Sequence, residues 1–466
     1  MGKYDLIVIG GGAAGFAAAM KADEIGARTL MVNYDTVGLG GTCVNVGCVP
    51  SKYLLHISKI MHDSQINSFY GLKSEASLDF EKIMKGKDAL IDELRSEKYE
   101  KVLGALKNVE LVQGNAKFIS KMEIEVDDNI YSASKFIIAT GSSTLVLPIK
   151  GIDEIDYLTN TKALNLRKLP ESMIVIGGGA LGLEFSQIFS RFGTKVYVLE
   201  ATKRIVPNAE PELSVLLKKY LKEDGIEIMT NARVIKVSKA HNDVVVNAIF
   251  DGKEKIIRAE KLLLAVGRRA NTSSLSLEKT DVKLGVRKEI MVNNEMKASD
   301  GIWAAGDVTG EPMLETVAAR EGMVAANNAL SSEKIKMDYT VVPRTIFTDP
   351  QLASVGLTDK EANAKGIACD CNTVPMSLIP KARVVNEAKG AIKIVVDKKT
   401  EEIKGVHILA SSAADLIHEG VMIVKNKMTL NDVVDTLHIF PTLSEGIKLA
   451  AQSFKRDISK MSCCVE

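Results

Sequence analysis

The six cysteines of this 466-residue chain fall into three pairs: Cys43 with Cys48, Cys369 with Cys371, and Cys463 with Cys464. Thiolates are nucleophiles, redox couples and soft metal ligands. A chain terminus is tolerant of change, so core packing does not account for two adjacent thiols in the last six residues, and Cys463 and Cys464 read as a mobile pair of soft ligands. Cys43 and Cys48 lie in the run Gly40-Gly41-Thr42-Cys43-Val44-Asn45-Val46-Gly47-Cys48-Val49-Pro50-Ser51-Lys52. Residues five apart do not share a helix face, but a distorted first helical turn, which the glycines before Cys43 and at Gly47 permit, can bring such a pair within disulfide reach. A helix N-terminus also stabilises a thiolate. A structural zinc site is the competing reading. Zinc wants four ligands, and no second Cys/His pair with suitable spacing lies nearby, so a redox disulfide is preferred. Cys369 and Cys371 point to one side if their segment is a strand. They read as structural or incidental, with adventitious metal binding as the remaining alternative.

Two stretches are built to position such chemistry. Residues 4–9 form an apolar run of strand length, followed at once by Gly10-Gly11-Gly12-Ala13-Ala14-Gly15 and an Ala-rich helical stretch to about Gly26. Strand, G-x-G-x-x-G and helix together bring backbone N–H groups and a helix N-terminus to a pyrophosphate. The arrangement recurs: residues 173–176 lead into Gly177-Gly178-Gly179-Ala180-Leu181-Gly182, a helix to about Phe192, and a strand at 195–199 ending in Glu200. One such motif is weak evidence. Two imply two dinucleotides, as a flavoprotein taking electrons from a nicotinamide requires. Glu200 stands where an acidic residue reads the ribose, and its charge repels a 2′-phosphate, which favours NADH. Lys203 and Arg204 just beyond could neutralise such a phosphate. The equivalent position in the first unit is Asn33, which can still accept a ribose hydroxyl, with Asp35 as an alternative.

The whole chain sets bounds. Its length calls for two to four domains. With 60 basic and 59 acidic residues the net charge is +1, which gives no electrostatic reason to expect nucleic acid as a partner. No apolar run approaches the roughly 18–20 residues of a membrane helix, and Asp5 and the glycines from Gly10 interrupt any signal-peptide core. A cytoplasmic location follows as the expectation, and there six cysteines do not form a structural disulfide framework.

The run from Gly40 to Lys52 after an N-terminal G-x-G-x-x-G resembles the pyridine nucleotide–disulfide oxidoreductases. Ala139-Thr140-Gly141-Ser142, Gly267-Arg268-Arg269-Ala270-Asn271 (with Ala270 where the family has proline) and Ala305-Gly306-Asp307 are similar to further segments of that family. The resemblance implies an α/β fold with two Rossmann-like dinucleotide-binding units and a C-terminal α+β dimerisation domain. FAD would be held by Gly10, Gly12, Gly15, Asn33, Gly41, Thr42, Thr140, Gly141 and Asp307. NADH or NADPH would be held by Gly177, Gly179, Gly182, Glu200 and Gly267; the family implies NADPH, whereas Glu200 leans to NADH. Cys43 would be the outer, exchanging thiol and Cys48 the inner one against the flavin, with Lys52 and Glu184 an ion pair near it.

The dithiol reductases of the family carry His-Pro-Thr-x-Ser-Glu, whose His protonates the departing thiol. Here the segment reads His438-Ile439-Phe440-Pro441-Thr442-Leu443-Ser444-Glu445. Phe440 cannot transfer a proton, and His438 in an extended segment lies several ångströms away. A missing His and a Cys-Cys tail are features of the family's mercuric reductases, to which Phe347-Thr348-Asp349-Pro350-Gln351, Ile379-Pro380-Lys381-Ala382-Arg383 and Leu449-Ala450-Ala451-Gln452-Ser453-Phe454 are also similar. That resemblance implies Hg(II) as substrate and low-molecular-weight thiols as its carriers. Cys463 and Cys464 would take Hg(II) from those thiols and pass it to Cys43 and Cys48, all four cysteines acting as its ligands, with the tail of one subunit serving its partner in a homodimer. Thr442 stands where mercuric reductases often place a tyrosine, and the detached N-terminal C-x-x-C domain of many of them is not expected here. Reduction of an organic disulfide, as in dihydrolipoamide dehydrogenase, is the alternative, and a non-catalytic thiol-rich metal buffer a third. The expected organisation is a flavin unit at 1–150 and 271–338, a nicotinamide unit at 151–270, and a C-terminal unit at 339–466 in which a helical run 445–456 carries the tail outward.

Overall fold

The apolar run at the N-terminus forms the buried strand β1 (Leu6–Ile9): Leu6 and Val8 face helices, Ile7 and Ile9 face the antiparallel strands Ala116–Ser120 and Glu123–Val126, and neither side leaves place for a polar side chain. In the computed structural model, which describes residues 4–34, 37–66 and 69–461, β1 leads through the glycines into α1 (Ala13–Ile25), stopped by Gly26 in the left-handed conformation. Strand β2 (Thr29–Asn33) then pairs with β1 in parallel. Next come α2 (Gly41–Val46), α3 (Cys48–Ile66) and, after an intervening helix at Phe80–Arg95, strand β3 (Val109–Gln113).

Among the described residues the first sheet has six strands in the order Lys297–Ser299, Ile302–Ala304, Phe136–Ile138, β1, β2, β3. All neighbours are parallel except the outermost pair at 297–304. The chain thus returns to its first sheet after residue 296, and the helix Glu315–Leu330 packs on α1. A second, wholly parallel sheet runs Glu227–Met229, Lys195–Leu199, Ser172–Ile176, Lys261–Leu264. Its glycines open the helix Ala180–Arg191. A two-stranded ribbon, Ser142–Thr144 against Arg268–Ala270, joins the two units.

The C-terminal region is built differently. Five antiparallel strands, ordered Arg344–Ile346, Gln351–Gly356, Ile403–Ala410, Ala391–Asp397, Cys369–Pro375, carry helices such as Ala413–Lys425. The helical run expected at 445–456 ends sooner, at Gln452, and gives way to turns before a short helix at Ile458–Lys460. The architecture is therefore α/β with two Rossmann-like units followed by an α+β domain. No described helix is long and apolar enough to cross a membrane.

Candidate active site

Cys43 and Cys48 do not share one helix with a distorted first turn. The helix breaks between them at Gly47 (φ −130°, ψ −113°), so that Cys43 belongs to α2 and Cys48 opens α3. A Cβ at Gly47 would lie 2.7 Å from the Thr42 carbonyl oxygen; only a glycine lets the two helices meet this closely. Folding the chain back at that point brings the thiols into hydrogen-bond contact. The Cys43 hydrogen bond, aided by the Lys52 ammonium, lowers the Cys48 thiol to about 7 against the desolvation that opposes it. Cys43 is raised, first by the same hydrogen bond and then by burial. The shared hydrogen bond thus disfavours the Cys43 thiolate and favours that of Cys48. Both sulfurs belong to the described free cysteines, and Cys48 is exposed toward a cavity.

That cavity, of about 490 Å³, is lined by Gly10, Gly12, Asn33, Gly41, Thr42, Cys43, Cys48, Thr140, Gly141 and Asp307. Ten of the expected site residues thus meet in one place of the size range of small-molecule sites. Gly15 lies behind the wall, where a Cβ would strike the Gly10 carbonyl. Helix α1 opens into the cavity with no side-chain cap and no acidic residue in its first turn. Its free N–H groups and dipole suit a pyrophosphate. Gly41, at φ +69°, lets the next segment approach so closely that a Cβ would sit 2.7 Å from the Gly12 Cα. A dinucleotide such as FAD fits this donor set. Asp307 accepts from Ser142 Oγ at 2.5 Å, and Arg268 binds the same hydroxyl at 2.7 Å, fixing the carboxylate at the rim. Asn33 is 5 % exposed, and its Nδ2 donates to Gln113 at 3.1 Å. Asp35 lies outside the described residues.

A second cavity, of about 780 Å³, takes in Gly177, Gly179, Glu200 and Gly267, while Gly182 packs behind Gly177. The helix at Ala180 is likewise uncapped. Glu200 already accepts from the backbone N–H groups of Gly178 and Thr202, both at 2.7 Å. Lys203 and Arg204 are not among its lining residues.

Lys52 and Glu184 line neither cavity directly. They form an ion pair at 2.7 Å, with the Glu184 side chain 6 % exposed. The Lys52 ammonium also lies 4.5 Å from the centre of the Phe347 ring. The other Glu184 oxygen accepts the Phe347 N–H at 2.9 Å, which anchors the residue after a C-terminal strand on the helix Ala180–Arg191.

Several residues near the site carry no motif. Glu315, at the start of the helix 315–330, lines the first cavity and disfavours both thiolates. Glu321 accepts from the Gly306 N–H and from the Tyr339 hydroxyl, each at 2.7 Å, and burial raises its carboxyl. A carboxylate among the apolar residues of that helix marked a buried group, but nothing in the order of residues pointed to Gly306 as its partner.

Phe440 is half exposed at 50 %. His438 turns to Glu419, Nε2 to Oε1 at 2.8 Å, and to the Thr436 carbonyl. Thr442 donates its hydroxyl to the Ile439 carbonyl at 2.7 Å and contacts Ser444. Cys463 and Cys464 lie outside the described residues.

The family model for pyridine nucleotide-disulphide oxidoreductases matches residues 4–322, and the model of that family's dimerisation domain matches 342–451. A mercuric reductase of Bacillus cereus is 40% identical over 99% of this chain and 73% of its own length. A dihydrolipoyl dehydrogenase of Thermus scotoductus is 37% identical over 98% of each chain. Among solved structures, the HOCl-induced flavoprotein disulfide reductase RclA from Escherichia coli, solved as a Cu(II) complex, aligns with a TM-score of 0.88 at 28% identity, covering 98% of this chain and all of that one.

Proposed function

Because the chain belongs to the pyridine nucleotide-disulphide oxidoreductase family, we propose that it oxidises NAD(P)H and reduces Hg(II) to Hg(0). The family uses FAD and a nicotinamide dinucleotide; NADH is favoured here on the charge of Glu200. The reaction balances as one hydride's electron pair passing from NAD(P)H to Hg(II), leaving NAD(P)+, one proton and Hg(0). The flavin unit is taken as 1–150 with 271–338, the nicotinamide unit as 151–270, and the C-terminal unit as 339–466.

Bound FAD supplies the redox relay between the nicotinamide side and the dithiol side. The chain's own residues do the rest. Gly10, Gly12 and Gly41 would give the pyrophosphate room at the backbone, and Asp307, held by Ser142 and Arg268, would accept from a hydroxyl of the cofactor. Lys52 and Glu184 keep a positive charge beside the Cys48 sulfur. Cys43 and Cys48 bind Hg(II) as a soft dithiolate. Two thiolates make a stable linear complex, so release and transfer run by stepwise exchange, each new sulfur entering before an old one leaves. Cys463 and Cys464 serve as the entry pair, taking Hg(II) from small thiols and delivering it to the dithiol of the partner subunit in a homodimer.

One observation carries this reading: a hydrogen-bonded Cys43–Cys48 pair at a dinucleotide cavity, in a chain whose acid/base position holds Phe440. An organic disulfide would require a proton for its leaving thiolate; a metal ion leaving as Hg(0) requires none. The relationship to mercuric reductases supports the same substrate. Reduction of a dithiol-type disulfide is the second reading, favoured by the 37% identical dihydrolipoyl dehydrogenase. The deciding assay follows oxidation of NADH and of NADPH, side by side, with Hg(II) in excess thiol and with oxidised lipoamide. Hg(II)-dependent turnover with little lipoamide reduction supports the proposal. The reverse result replaces it with the second reading.

A further inference from the structure

The cysteines that the flavin site leaves unused stand on the edge of the C-terminal sheet. Cys369 and Cys371 begin the strand Cys369–Pro375, which among the described residues is paired on one side only, to Ala391–Asp397. Alternate residues of a strand share a face, so both thiols turn the same way. They turn toward Asp359, at the start of the short helix Asp359–Ala364. The Cys369 thiol lies 3.0 Å from Asp359 Oδ1. One ligand atom from each of the three residues falls within 4.8 Å of the other two, and all three side chains are half-buried.

We propose that Asp359, Cys369 and Cys371 form a second metal site, separate from the redox dithiol, for a thiophilic d10 divalent cation such as Zn(II) or Cd(II). Two sulfurs and one carboxylate oxygen select a soft or borderline ion over Mg(II) or Ca(II). Three protein ligands leave the fourth corner of a tetrahedron for water or an incoming thiol. Two thiolates on a tetrahedral Zn(II) sit about 3.8 Å apart, close to the spacing of the present cluster, whose ligand atoms all lie within 4.8 Å of one another. Binding exchanges two thiol protons for one divalent ion, and no electron moves.

The frame around the cluster is already rigid. Thr358 and Glu361 form a reciprocal capping box that fixes the helix start. The Asp359 N–H donates to Glu210 Oε1 at 2.7 Å, and Asn363 holds Oδ1 from the same helix at 2.7 Å. Glu210 is buried and paired with Lys393 at 2.8 Å, and Lys393 also reaches Glu212 at 2.6 Å. The nearby ammonium is thus engaged by two carboxylates, and the cluster's own negative charge remains for a cation. A carboxylate oriented by neighbours on a helix and a dithiol oriented by a strand meet the requirement that ligands be held before the ion arrives. None of the three residues lines either dinucleotide cavity.

The test uses the full-length flavoprotein carrying Cys43→Ser, Cys48→Ser, Cys463→Ser and Cys464→Ser, so that Cys369 and Cys371 are its remaining thiols. Titration with Cd(II) under a phosphine reductant reads the ultraviolet thiolate-to-metal charge-transfer band. A band saturating at one equivalent per chain is expected, lost on adding Cys369→Ser or Cys371→Ser and weakened about tenfold in affinity by Asp359→Asn. A second measurement needs no substitution: Cd(II) should protect Cys369 and Cys371 of the wild-type protein from iodoacetamide, read by peptide mass. No saturable band together with unprotected thiols overturns the site. A band that survives loss of both cysteines does so as well.

Discussion

Glu184 closes an ion pair on Lys52 across 132 residues of chain, Oε2 to Nζ at 2.7 Å. The same carboxylate accepts the Phe347 N–H. One buried group therefore ties the dithiol helix, the nicotinamide-unit helix and the C-terminal sheet together. Replacing Lys52 with Met leaves a buried carboxylate short of a partner, which costs about 1–3 kcal/mol. The holoprotein should melt several degrees lower, and Glu184→Gln, which keeps an acceptor for Phe347, should lose less. Thermal unfolding of the two variants checks the order; equal losses would mean the charge pair matters less than the amide contact.

The lowered Cys48 thiol makes a pH prediction. Its thiolate is populated above about 7, so alkylation of the reduced enzyme should accelerate as pH rises through that value. Removing the Cys43 hydrogen bond with Cys43→Ala, or the Lys52 charge with Lys52→Met, should move the inflection upward, the former more. An inflection at the ordinary thiol value of about 8.5 in the wild type would show that the hydrogen bond does not favour the Cys48 thiolate in this way.

His438 offers a stability test of opposite sign. Its hydrogen bond with Glu419 raises its imidazole, so the charged form is the one the fold favours. That contribution is complete below the unfolded histidine value of about 6.5 and fades as pH rises through the raised folded value. The melting difference between wild type and His438→Gln should therefore be larger at acid pH than at alkaline pH. A difference independent of pH would remove the ion pair from the account.

Phe440 is the position that separates two chemistries. Phe440→His puts an acid/base group where disulfide reductases carry one and should raise lipoamide reduction at least tenfold above its wild-type level. Hg(II)-dependent turnover should not improve. Steady-state assays with both acceptors read the result, and an unchanged lipoamide rate would show that another residue blocks that reaction.

The tail makes a kinetic prediction. Cys463→Ala with Cys464→Ala should slow turnover of bulky Hg(II)–thiol complexes while sparing flavin reduction by NAD(P)H in stopped flow. Wild-type turnover of such complexes by the double variant would end the hand-off role.

Local pattern carried much of the architecture. An apolar run, three glycines and an Ala-rich stretch specify β1, the turn and α1 because each step depends on neighbours a few residues away, and the same holds for residues 172–199. The helix expected over 445–456 ends at Gln452, where the backbone turns at Ser453. The dithiol was legible from Cys43, Gly47 and Cys48, although spacing alone placed the distortion inside one helix when the chain breaks into two.

By itself, the order of residues determined the paired nucleotide units, the redox dithiol and the absence of a proton donor at 440, since each is a matter of residue type at short range. Tertiary structure alone decided that Glu184 meets Phe347, that Glu321 holds Gly306, and that Asp359 faces Cys369 and Cys371. The first of these contacts joins residues 163 apart and the other two join residues 15 and 10 apart on different elements. No periodicity announces them: they arise when helices and strands pack, and a buried carboxylate must then find its partner in whatever the packing brings beside it.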